Sequence, residues 1–334
     1  MVEHITLWNG KTIPRIGIGT WVMGGEMYWD GAPIGWSHVK DEDSLAALHE
    51  AFEMGVRFVD TAGVYGGGHS EEIVGQALQA SSIDRDEFVV ATKFGHPFEG
   101  RNAMGERADP DYVRSEVDAC RRRLGVDQID LMQFHLDGFD KDEAKATFDT
   151  LEDLLDAGKI GAFGWSTNDV GNATAYADRP GYVGSQHDMN MFRRADDMLA
   201  ATAKADVLSI IRQPLAMGLL SGKYTSAKVS YGDGDIRAAG AEWMIYFDED
   251  GQPLPAMLDM LEQLRTIVTE NDRSLAQGAL AWVLAAAPHT LPIPGCRNIN
   301  QVRDNMGVLE QGPLSQDQMM RIDSVMKDMP PIAA

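Results

Sequence analysis

The amino-acid sequence predicts an α/β fold of the (β/α)8 TIM-barrel type, and two observations lead to that prediction. Eight short apolar runs with strand character alternate with helix-period segments, which implies parallel strands joined by crossover helices. Eight such units in roughly 300 residues suit a closed barrel of about 250 residues with insertions. The rival is an open doubly wound sheet, which normally carries a three-glycine fingerprint after its first strand. Here GIGTWV lacks the third glycine and leads into an aromatic loop, so the barrel is favoured.

The secondary-structure elements are predicted in order along the chain. An Asn9-Gly10 pair between short extended runs predicts an N-terminal hairpin. The predicted strands cover residues 16–19, 57–61, 88–93, 129–135, 161–166, 182–186, 208–212 and 290–294. The predicted helices cover residues 41–54, 70–79, 110–124, 142–157, 169–177, 196–203, 255–287 with a break near Asn271, 298–310 and 315–327. We expect residues 1–334 to form a single domain, with extra loops and helices at the C-terminal face of the barrel.

Ser70 is expected to cap the second predicted helix, with two glutamates in the first turn where the helix dipole favours them.

Two segments, residues 94–109 and 224–252, are long for simple connections, and the second contains GDGD and Trp243. Because both segments follow carboxyl ends of strands, each could cover a site as a lid, or be an idle surface insertion.

Charge and composition argue against several classes of function. The formal net charge of -22 and the pI near 4.6 disfavour binding to nucleic acid or to anionic membranes. Any bound phosphate therefore needs a local basic cluster. Two cysteines in unrelated contexts and an N-terminus unlike a signal peptide favour a reducing cytoplasm. The longest apolar stretch, which begins at Ala279, is too short to span a bilayer, and no metal-ligand spacing occurs.

Four chemically active residues lie at or just after the ends of three successive predicted strands. They are Asp60 and Tyr65 in RFVDTAGVY, Lys93 in FVVATK and His135 in IDLMQFH. In (β/α)8 barrels the active site lies at the carboxyl ends of the strands. A nearby ammonium lowers the pKa of a phenol from about 10, and a carboxylate keeps that ammonium charged. Such a site protonates the oxygen of an aldehyde or ketone as hydride arrives at carbon, and in reverse it oxidises an alcohol.

Each of these four residues also has a plain structural interpretation. An aspartate at a strand end is often structural, a tyrosine before GGGHS packs on its loop, and a histidine in an apolar run is often a core residue. Lys93 is the most specific signal, because a lysine that ends a buried strand points into a barrel mouth and needs an anionic partner. The joint occurrence of all four residues favours the functional interpretation.

Longer motifs resemble a known family of enzymes. The string FVDTAGVYGGGHSEEIVGQAL resembles the signature of aldo-keto reductases, which are (β/α)8-barrel oxidoreductases. Further matches are FVVATK, IDLMQFH, GKIGAFGWS, PLAMGLLSGKY and PIPGCRNINQVRDNMG, and they follow the family's order over nearly the whole chain. Within the family, these motifs are most similar to the branch that includes bacterial stress-related reductases and potassium-channel β subunits.

This resemblance implies roles for individual residues. Tyr65 is implied as general acid, Lys93 as its pKa-lowering partner, Asp60 as the partner of Lys93 and His135 as the group that orients the carbonyl. The implied cofactor is NADPH or NADP+, with NADH disfavoured because Arg297 offers a cation to the 2′-phosphate at a helix start. The implied cofactor contacts are Thr20, Trp21, Asp60, Ser166, Gln186, Arg212, Pro214, Leu215, Ala216, Ser221, Lys223, Gly295, Arg297, Gln301 and Asn305.

Two departures from the family pattern concern the nicotinamide end. Arg212 stands where many members place an aromatic residue, and a planar guanidinium can stack in a similar way. Thr167 follows the serine of GWS where an asparagine is frequent, and Asn168 comes one residue later. The expected walls of the substrate pocket are Trp21, Met23, Tyr28, Trp29, Phe94, His135 and residues of the 224–252 segment.

The sequence therefore predicts a cytoplasmic, NADPH-dependent carbonyl reductase that acts on a small-molecule aldehyde or ketone, or on the alcohol in reverse. One alternative is an NADP-binding regulatory subunit whose slow chemistry reports redox state to a partner. A second is a phosphate-handling aldolase or isomerase with Lys93 as Schiff base, which suits Asp60 and Tyr65 less well.

Overall fold

The fold is a barrel of parallel strands surrounded by helices. A computed structural model describes residues 2–224, 229–232, 234–241, 244–327 and 329. Within these residues the main sheet has eight parallel strands in the order of the chain, which confirms the predicted barrel. They are Gly17–Gly19, Phe58–Asp60, Val89–Phe94, Leu131–Phe134, Phe163–Ser166, Tyr182–Asp188, Leu208–Arg212 and Thr290–Pro292. A parallel bridge between Gly19 and Gly295 links the last strand's end to the first.

Side chains alternate between the barrel interior and the helix layer along each strand. On the second strand Phe58 belongs to the interior cluster, and on the third strand Val89 and Ala91 do. Because residues two apart share a face, Asp60 and Lys93 extend the interior rows toward the carboxyl ends of their strands. This alternation positions the site described below.

The N-terminal hairpin closes the opposite end of the barrel. Strands His4–Thr6 and Thr12–Pro14 pair antiparallel, and Gly10 takes a left-handed φ of 81° in the turn, so the Asn9-Gly10 prediction is correct. Leu7 and Ile13 pack with the interior strand residues. The hairpin therefore seals the amino-terminal end of the barrel with apolar side chains.

The helices agree with the predicted segments except in detail. They are Asp41–Glu53, His69–Ala80, Pro110–Leu124, Lys145–Asp156, Val170–Thr174, Asp196–Lys204, Pro255–Val268, Leu275–Ala286, Ile299–Met306, Val308–Gln311 and Gln316–Met326. The predicted break near Asn271 is a turn in which that residue has a φ of 62°. Ser70 does not cap its helix, because the cap position is Gly68. The Ser70 hydroxyl instead donates to Thr20.

Two insertions pack on the 28–36 segment after the carboxyl ends of their barrel strands. Phe98–Glu99 and Asn102–Ala103 form a hairpin within the 94–109 segment, and it pairs with the hairpin of Tyr28–Trp29 and Ala32–Pro33. The second insertion contributes a short helical turn, Ile236–Ala239, whose first amide donates to the carbonyl of Gly35 at 2.9 Å. Both insertions therefore contact the 28–36 segment.

The described part of the second insertion has gaps. Trp243 and one residue of the GDGD motif, Asp233, lie outside the described residues. In the part of the chain that the structure describes, no helix is long and apolar enough to cross a membrane.

Candidate active site

The four residues predicted from the strand ends converge at the barrel mouth. The Lys93 ammonium donates to Asp60 Oδ2 at 2.6 Å, to the Thr61 carbonyl at 2.8 Å and to the Tyr65 hydroxyl at 3.3 Å. The ring of His135 meets the ring of Tyr65 edge to face, with 6.1 Å between centroids. Asp60 and Lys93 are only 2% and 1% exposed, so their ion pair is shielded from water.

Tyr65 is held by a tight glycine loop. Gly66, the residue after it, has a φ of 64°, and a Cβ there would lie 2.0 Å from the carbonyl oxygen of Gly24. Only glycine accommodates both the backbone conformation and this close approach. The loop therefore presses against the turn Trp21–Gly24, and it places the phenol over Lys93.

The protonation states of the site follow from burial and from near charges. Burial works to lower the pKa of Lys93, but the ion pair with Asp60 and the contact with Tyr65 raise it on balance, so the amine is charged. Burial raises the pKa of Tyr65 more than the Lys93 ammonium lowers it. Burial, together with the neighbouring imidazole of His96, holds the pKa of His135 well below its usual range. At neutral pH the site thus combines a phenol, a cationic amine and a neutral imidazole.

Two glutamines complete the environment of Asp60. Gln186 and Gln133 donate their amide NH2 groups to Asp60 Oδ1 at 2.7 and 3.1 Å. A carboxylate only accepts, so the NH2 of each glutamine must face it. Gln133 was not among the predicted site residues, although its position two residues before His135 placed a polar side chain on the interior face.

Arg212 is anchored by three in-plane hydrogen bonds at the end of the seventh strand. Its Nε donates to Asp188 at 2.7 Å, its Nη2 to Asp137 at 3.0 Å and its Nη1 to Ser166 Oγ at 2.9 Å. Since Ser166 Oγ accepts from Arg212, its own proton remains available for another acceptor. These three hydrogen bonds fix the plane of the guanidinium.

Thr167 and Asn168 belong to this anchorage. Asn168 donates to both Asp137 and Asp188 at 3.0 Å and accepts from the Asp188 amide at 2.9 Å. The Thr167 hydroxyl donates to the Asp137 carbonyl at 2.7 Å. Both side chains therefore hold Asp137 and Asp188, the residues whose carboxylates orient Arg212.

Aromatic side chains form the walls beside Tyr65. Trp21 stacks on the Tyr65 ring with centroids 6.0 Å apart. The His96 ring lies between the rings of Trp29 and His135, with centroid distances of 5.4 and 5.1 Å. His96 was missed because a histidine in a glycine-containing loop carries no strand periodicity.

Tyr28 lies farther along the rim. Its hydroxyl is 3.3 Å from Glu26, beside the second insertion at Gly234.

The expected wall residues Phe94 and Met23 do not line the mouth. Phe94 is 2% exposed and stacks on Phe134 in the layer that faces the helices, and Met23 is fully buried. Because Lys93 points into the barrel, strand alternation turns the next side chain outward. Thr20 is likewise fully buried, and its hydroxyl donates to the Asp60 carbonyl at 3.0 Å rather than facing the mouth.

The loop after the seventh strand has an unusual backbone. Gln213, Ala216 and Met217 all have left-handed φ angles, between 48° and 55°. Such conformations cost about 1–3 kcal/mol each and cluster at functional sites. Pro214 and Leu215 are buried within this loop.

Ser221 and Lys223 follow this loop. The Ser221 hydroxyl donates to the Gly218 carbonyl at 2.7 Å. Burial, with the positive charges of Arg237 and Arg297, lowers the pKa of Lys223 to about 7. The loop thus brings Lys223 toward the end of the mouth where Arg297 lies.

The segment after the eighth strand only partly matches expectation. Gly295 is exposed, and the Arg297 amide donates to Gln301 Oε1 at 2.7 Å, so this amide is not free for a phosphate. Asn305 is buried and donates to Cys296 Sγ at 3.2 Å, whereas Gln301 is exposed. Burial raises the pKa of the Cys296 thiol to about 12, which argues against a thiolate nucleophile.

Comparisons with known proteins agree with this architecture. The model of the aldo/keto reductase family matches residues 15–327. An NADH-specific methylglyoxal reductase of Escherichia coli is 29% identical over 311 residues, which cover 89% of this chain and 90% of the relative. An NADP(+) aldo-keto reductase of Schizosaccharomyces pombe is 28% identical over 90% of this chain and 85% of the relative. A glycerol dehydrogenase structure from Gluconobacter oxydans superposes with a TM-score of 0.81 at 26% identity, over 99% of this chain and 98% of that one.

The eight-stranded parallel barrel carries Asp60, Lys93 and Tyr65 together at its carboxyl end. With the match over residues 15–327, it places the chain among the barrel oxidoreductases. The chain belongs to the aldo/keto reductase family. The further similarity to channel β subunits stays a prediction.

Proposed function

We propose that this protein reduces an aldehyde or ketone to the alcohol, reversibly, with a nicotinamide dinucleotide as cofactor. The observation that carries the proposal is the contact of the buried Lys93 ammonium with both Asp60 and Tyr65 at the mouth of the barrel. This contact supports Tyr65 as the proton donor, because a phenol beside a charged ammonium loses its proton more easily as negative charge develops on the substrate oxygen.

The roles of the remaining residues follow from their protonation. His135 is neutral, so it can donate a hydrogen bond to the carbonyl oxygen without competing as an acid. Asp60 keeps Lys93 charged and oriented, and the two glutamines keep Asp60 in place. When bound, the reduced nicotinamide would supply the hydride. Trp21 and Trp29 favour substrates with partly apolar surfaces.

The chain's own groups suit a nicotinamide dinucleotide. The Gln186 carbonyl oxygen and the Ser166 hydroxyl proton offer an acceptor and a donor for a carboxamide, and the fixed plane of Arg212 offers a stacking face. Lys223 and Arg297 are the cations proposed for the phosphates. Arg297 supports NADPH as a cofactor, and NADH is considered beside it, since the named relatives include both an NADH-specific and an NADP(+) enzyme.

The test is a single hydroxyl deletion with turnover and binding measured separately. Tyr65→Phe should lower kcat for carbonyl reduction by roughly 10²–10⁴, the usual contribution of a general acid. Consumption of NADPH and NADH is followed with a panel of aldehydes and ketones that includes 2-oxoaldehydes. Cofactor affinity, measured by quenching of tryptophan fluorescence, should be retained.

Tyr112→Phe is the matched control, because Tyr112 is a buried phenol whose hydroxyl meets the amide of Gly95 outside the proposed site. Full activity in the Tyr65 variant would remove the proposed role of the phenol. The absence of any cofactor binding by the wild-type protein would remove the reductase proposal altogether.

A further inference from the structure

A buried carboxylate from the second insertion lies beside the arginine proposed for the cofactor's 2′-phosphate. Asp235 Oδ2 is 3.4 Å from Arg297 Nη2, and the Asp235 side chain is 2% exposed. The two residues are 62 positions apart, so only the folded insertion brings them together. Arg297 is 31% exposed, so it remains accessible to solvent while it contacts this carboxylate.

Asp235 cannot easily move away from Arg297. It accepts from Arg237 Nε at 2.8 Å and from Arg237 Nη2 at 2.7 Å, a bidentate pair, and it also accepts from the Arg237 amide at 3.1 Å. Bidentate arginine–carboxylate pairs are geometrically rigid. The Asp235 carboxylate is therefore held in one position beside Arg297.

Arg237 is itself held in place by aromatic neighbours. Its guanidinium lies 4.9 Å from the ring centroid of Trp36 and 4.5 Å from that of Tyr231, and Nη1 is 3.4 Å from the Tyr224 hydroxyl. The residue is 7% exposed. Arg237 thus acts as a structural support for Asp235.

We propose that Asp235 determines coenzyme choice by presenting a fixed carboxylate to Arg297, so that the protein accepts NADH about as well as NADPH. The inference rests on the proposed function, in which Arg297 holds the adenosine end of the cofactor. A 2′-phosphate on Arg297 comes close to a like charge, which offsets the gain from the guanidinium. A ribose 2′-hydroxyl carries no charge, so the unphosphorylated cofactor does not meet this repulsion.

The experiment separates the adenosine end from catalysis. Binding of adenosine 2′,5′-bisphosphate and of 5′-AMP is measured by calorimetry for the wild-type protein and for Asp235→Asn. Wild-type dissociation constants are expected to agree within about threefold, and Asp235→Asn should tighten only the bisphosphate, by about tenfold, because one like charge is removed. Asp250→Asn removes an exposed charge from the same insertion and should change neither constant.

Two results overturn the inference while the proposed function stands: a wild-type preference above about thirtyfold for the bisphosphate, or no change in Asp235→Asn. If Asp235→Asn does not fold, the dissociation constants of the wild-type protein for NADH and NADPH are measured instead, by quenching of tryptophan fluorescence. A ratio of dissociation constants within about threefold supports the inference, and a thirtyfold preference for NADPH contradicts it. If no adenine nucleotide or nicotinamide dinucleotide binds at all, the proposed function fails and the inference falls with it.

Discussion

Lys93 illustrates how a single residue defines the chemistry of this site. Its ammonium is buried, and it is paired with Asp60 at 2.6 Å, so burial does not neutralise it. A Schiff-base lysine needs a neutral amine, which a paired and charged Lys93 does not provide. The contacts of Lys93 therefore favour proton delivery through Tyr65 over an aldolase-type reaction.

The protonation state of Tyr65 predicts opposite pH dependences for the two directions of the reaction. Because burial raises the pKa of this phenol on balance, it is protonated at neutral pH and can serve as an acid throughout that range. Carbonyl reduction should therefore be level through neutral pH and fall only in alkaline solution. Alcohol oxidation needs the phenolate as base, so its kcat should rise as the pH increases. Steady-state rates in both directions, measured over the same buffers, test this expectation.

A reduction rate that falls between pH 6 and pH 8 would contradict this assignment. It would mean that the phenol ionises in that range. Tyr65→Phe is the control, since its residual rate should lose the alkaline dependence in both directions.

Residue-level prediction succeeded where strand periodicity governs a side chain. Asp60 and Lys93 were placed correctly, because alternation directs both into the barrel. The same rule excludes Phe94, whose inclusion as a wall residue came from its neighbourhood in sequence alone. Gln133 is the opposite case. Strand alternation placed its side chain on the interior face, but it was not among the residues that the family resemblance implied.

At the scale of elements, the glycine loop after the second strand positions the proposed acid. Gly66 needs both a left-handed backbone and the absence of a Cβ, since its neighbour is the Gly24 carbonyl. Trp21, which stacks on Tyr65, belongs to the same turn as Gly24. The loop and the turn therefore act as one rigid support for the phenol.

Gly66→Ala should displace Tyr65 and lower kcat. The added Cβ would lie 2.0 Å from a backbone oxygen, so the loop must shift, and a displacement of about 1 Å can cost up to about 10²-fold in rate. Steady-state kinetics and the thermal midpoint are measured together.

Gly100→Ala is the matched control, because Gly100 has a similar φ of 56° but open space around its Cβ position. This variant should lose only about 1–2 kcal/mol of stability, because an alanine in a left-handed conformation is strained. Its kcat should be unchanged. Equal kcat values for the two variants would show that the contact with Gly24 does not position Tyr65.

At the scale of the whole molecule, contacts through the 28–36 segment connect the two insertions with the barrel. The 28–36 segment pairs with the first insertion through a four-stranded sheet and receives a hydrogen bond from the second. Trp36 contacts Trp21 on one side, with centroids 5.4 Å apart, and Arg237 and Arg297 on the other. A continuous set of contacts therefore joins the proposed proton donor to the proposed adenosine end.

The large negative charge predicts how stability responds to salt. With a formal charge of -22, mutual repulsion opposes the compact state. Raising NaCl from about 0.01 M to about 0.15 M shortens the screening length from about 30 Å to about 8 Å. The thermal midpoint should therefore rise by about 2 °C or more, as measured by calorimetry. KCl at the same ionic strength should give the same rise, and a lower midpoint would show that ion pairs outweigh repulsion.

The sequence by itself determined the barrel, its order of strands and the convergence of Asp60, Tyr65 and Lys93. These features depend on local periodicity and on the rule that parallel strands end on one face, so they can be read from neighbouring residues. It could not determine that Asp235 lies beside Arg297, or that Asn168 holds the carboxylates around Arg212. Such contacts join residues far apart in the chain, and no periodic pattern encodes them. Only the folding of irregular loops over the barrel brings them together.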